Sequence, residues 1–240
     1  MGTQSVQNNR TLSGSDLKTI GCISMLLDHF AVMMKYTGPT EMILRNLIGR
    51  LAFPIFAFLL VEGFLHTKNL KKYCLSLLLL ALVSEVFYDL LQSGSNRPVP
   101  ELSHQNTLFT LSLCLVMLTC IKKAEALLVR KASADSLILF VRLLLILTFS
   151  AASELLHLDY GFLGPACISA MYLFRMDRLR AVSLGCLCLN LNFFTMPGAF
   201  LALLPLSRYN GTRGPQNKFF FYLFYPMHLL FLVLIRQFLR

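Results

Sequence analysis

Asp28 and His29 stand side by side inside the apolar run LKTIGCISMLLDHFAVMM, at a depth where lipid would surround them. An ionisable group deep in a bilayer costs roughly 2.5 kcal/mol or more on insertion scales, so residues of this kind usually carry a paired or catalytic role. The chemistry open to a histidine there is proton transfer. Acting as a general base, it takes a proton from a nucleophile while a nearby carboxylate fixes its tautomer and stabilises the imidazolium. Successive helical residues point about 100° apart, so Asp28 does not automatically orient its neighbour. Glu85 and Asp89, at positions i and i+4 of another apolar run, share a helix face and are the other acids able to do so. Like charges at that spacing repel unless a cation such as Arg50 or Arg142 intervenes.

The remaining polar residues within apolar runs have both a chemical and a structural reading. Glu62 and His66, again i and i+4, either pair at a helix terminus or border the mouth that admits a cytoplasmic cosubstrate. His228 lies mid-way along the last apolar run beside Tyr225, where a satisfied core histidine is the alternative. Asn106 opens the fourth run, and Glu154, His157 and Asp159 surround the connection before the sixth. The stretch RYNGTRG, 208–214, is either a plain turn or a backbone able to approach a phosphate. No Gly-rich phosphate loop, Gly-x-Ser-x-Gly elbow or His-Glu-x-x-His zinc motif occurs.

The elements that must position these groups follow from composition. Of 240 residues 56% are hydrophobic and 14% charged, with mean hydropathy +0.64, whereas soluble domains carry about 25% charged residues. The chain therefore reads as an all-α polytopic transmembrane helical bundle. Apolar runs predict nine spans: Leu17 to Lys35, Leu47 to Leu65, Tyr73 to Leu91, Leu108 to Ile121, Ser136 to Leu155, Gly161 to Phe174, Ala181 to Phe194, Ala199 to Leu206 and Phe219 to Ile235. Eight is the alternative, because Thr195 to Gly198 either separates two short helices or kinks one. Residues 1–16 read as a polar, disordered tail and 17–240 as one membrane domain whose first helix serves as an uncleaved insertion signal.

Loop charge orients the bundle. Lys68, Lys71 and Lys72, then Lys122 to Lys131, Arg175 to Arg180 and Arg208 to Lys218 alternate with connections poor in basic residues, which places the N-terminus and the basic loops in the cytoplasm. Arg236 and Arg240, at the expected outer end, run against the rule. The net charge of +10 is thus loop charge, and no nucleic-acid partner is implied. The seven cysteines lie in or beside apolar runs and read as small packing residues, with neither a disulfide framework nor a metal site.

The stretches LKTIGCISMLLDHF, IGRLAFPIFAFLLVEGFLHTKNLKKY, ALVSEVFYDL, NTLFTL, DYGFLG, RYNGTRG and KFFFYLFYPMHLL, taken together and in this order, resemble the TraX family of bacterial membrane proteins, named for an enzyme that acetylates F-type conjugative pilin. That family is distantly similar to acyltransferase family 3 and to heparan-α-glucosaminide N-acetyltransferase. The resemblance implies a protein of the bacterial cytoplasmic membrane that takes acetyl-coenzyme A as cosubstrate and modifies a protein or glycan acceptor of the envelope. It makes His29 the candidate base, with Asp28, Glu85 and Asp89 as catalytic partners. Arg50, Glu62, His66, Asn210 and His228 become cosubstrate-site positions. The departures from the family pattern, the N-terminal tail and the Ser93 to Ser103 loop, are where substrate choice would reside. Two other classes use the same buried groups: a proton-coupled transporter and a non-catalytic membrane assembly factor.

Overall fold

A computed structural model describes residues 11–93, 103–132, 134–191, 197–215 and 217–239. The first ten residues of the tail, the interior of the Ser93 to Ser103 loop, Thr195, Met196 and Arg240 lie outside the described residues. Among those described there are nine helices and no strand. They are α1 (Gly14–Met34), α2 (Gly38–His66), α3 (Leu70–Ser93), α4 (Thr107–Arg130), α5 (Asp135–Leu155), α6 (Leu163–Leu173), α7 (Arg178–Leu189), α8 (Pro197–Ser207) and α9 (Lys218–Phe238).

Helix starts follow local chemistry. Ser13 caps α1 in a reciprocal box: its backbone N–H donates to the Asp16 carboxylate at 2.8 Å, and its hydroxyl accepts from the Asp16 N–H at 3.4 Å. Helix α2 begins with Gly38 and Pro39, well before the expected Leu47, because Glu41, Arg45 and Asn46 hide nine helical residues from a hydropathy reading. Its Met42–Ile48 segment is a π-helix followed by a tight 3₁₀ turn, Gly49–Leu51. Such irregular turns leave carbonyls poorly paired and recur at functional sites. Ser24 of α1 answers this one, donating to the Ile48 carbonyl at 2.6 Å and the Gly49 carbonyl at 3.1 Å.

As far as the described residues reach, each expected apolar run falls on a helix, and the nine helices differ in length. Five helices (α1, α2, α3, α5 and α9) are long and apolar enough to span a membrane. Helix α4 has 24 residues and continues past the expected Ile121 into a basic end at Arg130. Helices α6 and α7 have 11 and 12 residues, about 16–18 Å at 1.5 Å per residue, against a hydrocarbon core of about 30 Å. These short helices pack as a pair on α2 and α4, with Gly185 of α7 against Met171 and Cys167 of α6. The core runs through Leu17, Phe53, Phe64, Leu115, Met117 and Ile168. Helix α5 lies at the periphery and presents Phe140, Leu143 and Leu147 outward, as a lipid-facing helix does.

Two ties close the bundle. Leu12 to Ser15 pair their backbones with the 208–214 stretch: Gly14 N–H donates to the Thr212 carbonyl at 2.8 Å, Ser15 N–H to Arg213 at 3.0 Å, and Asn210 N–H returns to Leu12 at 2.8 Å. RYNGTRG is therefore a partner strip for the start of α1, and no free turn. At the opposite end Arg236, buried, donates to the Leu90 and Leu91 carbonyls at 2.8 and 3.1 Å and so caps α3. That cap gives Arg236 a reason to sit where loop charge argued against it.

Gly198 begins α8 against the π segment, and a Cβ there would lie 2.0 Å from the Leu47 carbonyl oxygen. Overpacking costs about 1–3 kcal/mol in most cores, and backbone cannot yield as a flexible side chain does. Gly198→Ala should lower the thermal midpoint of the detergent-solubilised protein, read by fluorescence-detected size exclusion; an unchanged midpoint would refute the close α8–α2 approach.

Candidate functional site

One face of α1 (Gly14, Lys18, Cys22, Met25, His29 and Val32) recurs at helical spacing and lines a cavity of about 1060 Å³. From Gly14 to Val32 this face runs about 27 Å at 1.5 Å per residue, close to the thickness of a hydrocarbon core. At one end the walls are Glu62, His66, Tyr209 and Arg213; towards the other they are Asp28, Arg45, Arg50, Tyr88, Asp159 and Tyr160. A single continuous cavity thus joins the RYNGTRG strip to His29.

His29 is buried on this wall, and its Nδ1 lies 2.8 Å from Nε2 of His228 on α9. Nδ1 of His228 lies 2.8 Å from the Phe224 carbonyl oxygen. A carbonyl only accepts, so Nδ1 of His228 carries the hydrogen. A neutral His228 then offers its Nε2 lone pair, and Nδ1 of His29 is the donor. This order leaves the Nε2 lone pair of His29 without a protein partner among the described residues, on a ring that borders the cavity. Phe224 stacks on His228 at 4.9 Å, Tyr225 meets it edge-on at 5.5 Å and Tyr88 meets His29 edge-on at 6.3 Å, so the pair is held in an aromatic sleeve.

The model of the TraX protein family matches residues 13–236. The chain belongs to the TraX family. It is also 30% identical over 260 residues, covering 98% of this chain and all of the relative, to the probable fimbrial assembly protein FimC, serogroup H1, of Dichelobacter nodosus. No solved structure matches significantly. Membership and the five long apolar helices make it an integral membrane protein.

The expected acids sort differently in this TraX-family fold. None of the three holds His29 in place; His228 occupies Nδ1 instead. Asp28 turns away from the ring beside it, as the 100° step requires, and faces Arg45 at 3.8 Å. It fits only because residue 49 is glycine: a Cβ there would lie 2.6 Å from Asp28 Oδ1. Arg45 in turn pairs with Glu41 at 3.0 Å. Glu85 accepts from the backbone and side-chain N–H groups of Asn106, whose Oδ1 caps α4 through the Leu108 N–H at 3.0 Å. It ties α3 to α4 and does not line the cavity. Asp89, buried, does line it. Arg142 is no counter-ion to these acids, since Glu125 holds it at 2.6 Å.

Of the expected cosubstrate positions, Arg50, Glu62 and His66 line the cavity. The His66 Nδ1–H donates to the Glu62 backbone carbonyl at 2.8 Å, which leaves the Glu62 carboxylate out of that pairing. His228 is not on the wall; it stands behind His29, 2.8 Å from its Nδ1. Asn210 is turned into its own loop, accepting from the Thr212 N–H and hydroxyl at 2.8 and 2.7 Å. Among the wall residues that the sequence did not offer as site candidates are Arg45 and Thr107. Arg45 was hidden in the polar stretch before Leu47. Thr107, next to the helix-capping Asn106, donates its hydroxyl to the Asp159 carboxylate. Burial pushes the Asp159 carboxyl above the usual carboxylate range, against that bond and the pull of Arg50.

The hydrogen-bond order has a direct spectroscopic consequence. Solid-state NMR of ring-labelled protein in lipid should show both His29 and His228 as the Nδ1–H tautomer, coupled across the 2.8 Å contact; a His29 ring protonated only at Nε2 would refute it.

Proposed function

We propose that this TraX-family protein transfers an acetyl group from acetyl-coenzyme A to an amine or hydroxyl of an envelope acceptor, with His29 as general base. The observation that carries the reading is the continuous cavity from the Glu62–His66–Arg213 mouth to Nε2 of His29, which no described residue engages. Basic loops orient that mouth towards the cytoplasm, where acetyl-coenzyme A is found. Lys18, His66 and Arg213 give the mouth cationic or proton-bearing groups suited to the phosphate end of the cosubstrate. The narrow α1 face beyond them suits an extended pantetheine arm that delivers the thioester to His29.

The transfer then balances as follows. Nε2 of His29 takes the proton of the acceptor N–H or O–H as that atom attacks the thioester carbonyl carbon. The C–S bond breaks on collapse, and the same proton passes to the departing thiolate, leaving acetylated acceptor and free coenzyme A. While His29 is charged, its Nδ1–H leans on His228 Nε2, so the positive charge spreads over two rings and the Phe224 carbonyl. His228 performs the orienting task usually given to a carboxylate. The relative's description as a probable fimbrial assembly protein supports a pilus subunit as acceptor.

In proteoliposomes with labelled acetyl-coenzyme A and pilin-type acceptor peptides, His29→Ala should fold yet lose transfer by about 10²–10⁴-fold, the range of a general base. His228→Ala should lose less and His228→Gln less again. Undiminished turnover in folded His29→Ala protein would overturn the reading.

A further inference from the structure

Most arginines in this bundle are matched to a partner. Arg45 has Glu41, Arg142 has Glu125, and Arg236 has two carbonyls. Arg50 lines the cavity with no carboxylate within 4.0 Å among the described residues, and its buried Nε has no hydrogen-bond partner there. Asp28 and Asp159 act on it only at longer range, and a cation withdrawn from water without a contact anion is expensive and persists where its charge is used.

A residue with a strained backbone flanks that cation. The guanidinium lies against the Tyr160 ring, 6.0 Å from its centroid. Tyr160 is in the left-handed region, with φ 66°, and stacks on Phe53 at 3.8 Å between ring centroids. A bulky residue there costs about 1–3 kcal/mol and is kept only where the surroundings impose it. The contact between Asp28 and Gly49 fixes the other side of the arrangement. His29 follows Asp28, Arg50 follows Gly49, and both border the same cavity.

We propose that Arg50 is the oxyanion donor of the acetyl transfer, and that Tyr160 is the positioning residue that aims it. This deepens the reading given above and rests on it. As the acceptor atom bonds to the thioester carbon, the carbonyl π pair moves onto oxygen; a guanidinium N–H stabilises that negative charge until the C–S bond breaks and the carbonyl re-forms. His29 handles the proton and Arg50 the charge. A preorganised cation in a water-poor site is well suited to this task.

The test measures kcat and KM for acetyl-coenzyme A and for fluoroacetyl-coenzyme A, whose fluorine stabilises an oxyanion by itself, in wild type, Arg50→Lys, Arg50→Gln and Tyr160→Leu. Arg50→Gln should lose about 10²–10³-fold in kcat with little change in KM, and fluoroacetyl donor should restore a larger share of its rate than of wild type's. Arg50→Lys should fall between, and Tyr160→Leu, which removes the ring, should lose kcat with the same donor dependence. Wild-type turnover with an Arg50→Gln protein that keeps its kcat, that loses only KM, or that shows the wild-type donor ratio overturns the inference and leaves the acetyl-transfer reading standing. Failure of both Arg50 variants to fold assigns the residue to structure and overturns it too. Absence of wild-type turnover removes the acetyl-transfer reading itself, and the inference with it.

Discussion

The 2.8 Å contact between His29 Nδ1 and His228 Nε2 joins the first helix to the last across 199 residues of sequence. Two imidazoles buried in an apolar bundle have little water to turn to, so each must find its partners within the protein. They do so in one direction only, from the Phe224 carbonyl through His228 to His29, and that direction ends at the cavity on a lone pair that no described residue engages. The α1–α9 pairing, the aromatic sleeve and the aim of His29 all depend on this chain of two bonds. Breaking it would leave a buried N–H unsatisfied at a cost of about 1–3 kcal/mol.

Around this pair the buried charges divide into two kinds. Glu85, Glu125, Arg142 and Arg236 fasten helices to one another through helix caps and ion pairs. Asp28, Arg45, Arg50 and Asp159 cluster on the cavity wall beside the irregular part of α2, where Gly49 lets a carboxylate approach backbone. The π segment makes this possible: it widens the helix by a residue and changes which side chains face α1, while Ser24 accommodates the displaced carbonyls. A polar interior inside a lipid bilayer must be kept from the lipid, and Phe221, Tyr222, Phe224 and Tyr225 of α9 form part of the wall that encloses it.

The all-α membrane fold was legible because lipid allows few solutions: long apolar runs must satisfy their backbone internally, and helices do so. The burial of His29 was legible for the same reason, since a titratable group in such a run lies away from water. The stripe from Gly14 to Val32 was present as well, at spacings of three and four, although apolar Cys22, Met25 and Val32 made it look like ordinary packing. Hydropathy misplaced the start of α2, because three polar residues interrupt its apolar face. It named nine spans, and nine helices form among the described residues; α6, α7 and α8 are the short ones and bury themselves against other helices.

By itself, then, the sequence determined the solvent, the secondary structure and the residue most costly to bury, because each of these depends on local composition and the helical period. Only the tertiary structure decided that His228, and no carboxylate, orients His29; that Glu85 is a helix tie; and that RYNGTRG is bonded to the start of α1. The reason is physical: partner choice depends on which faces meet when distant helices pack. The 100° step that turned Asp28 from His29 could be read in advance, but the ring arriving 199 residues later to take its place could not.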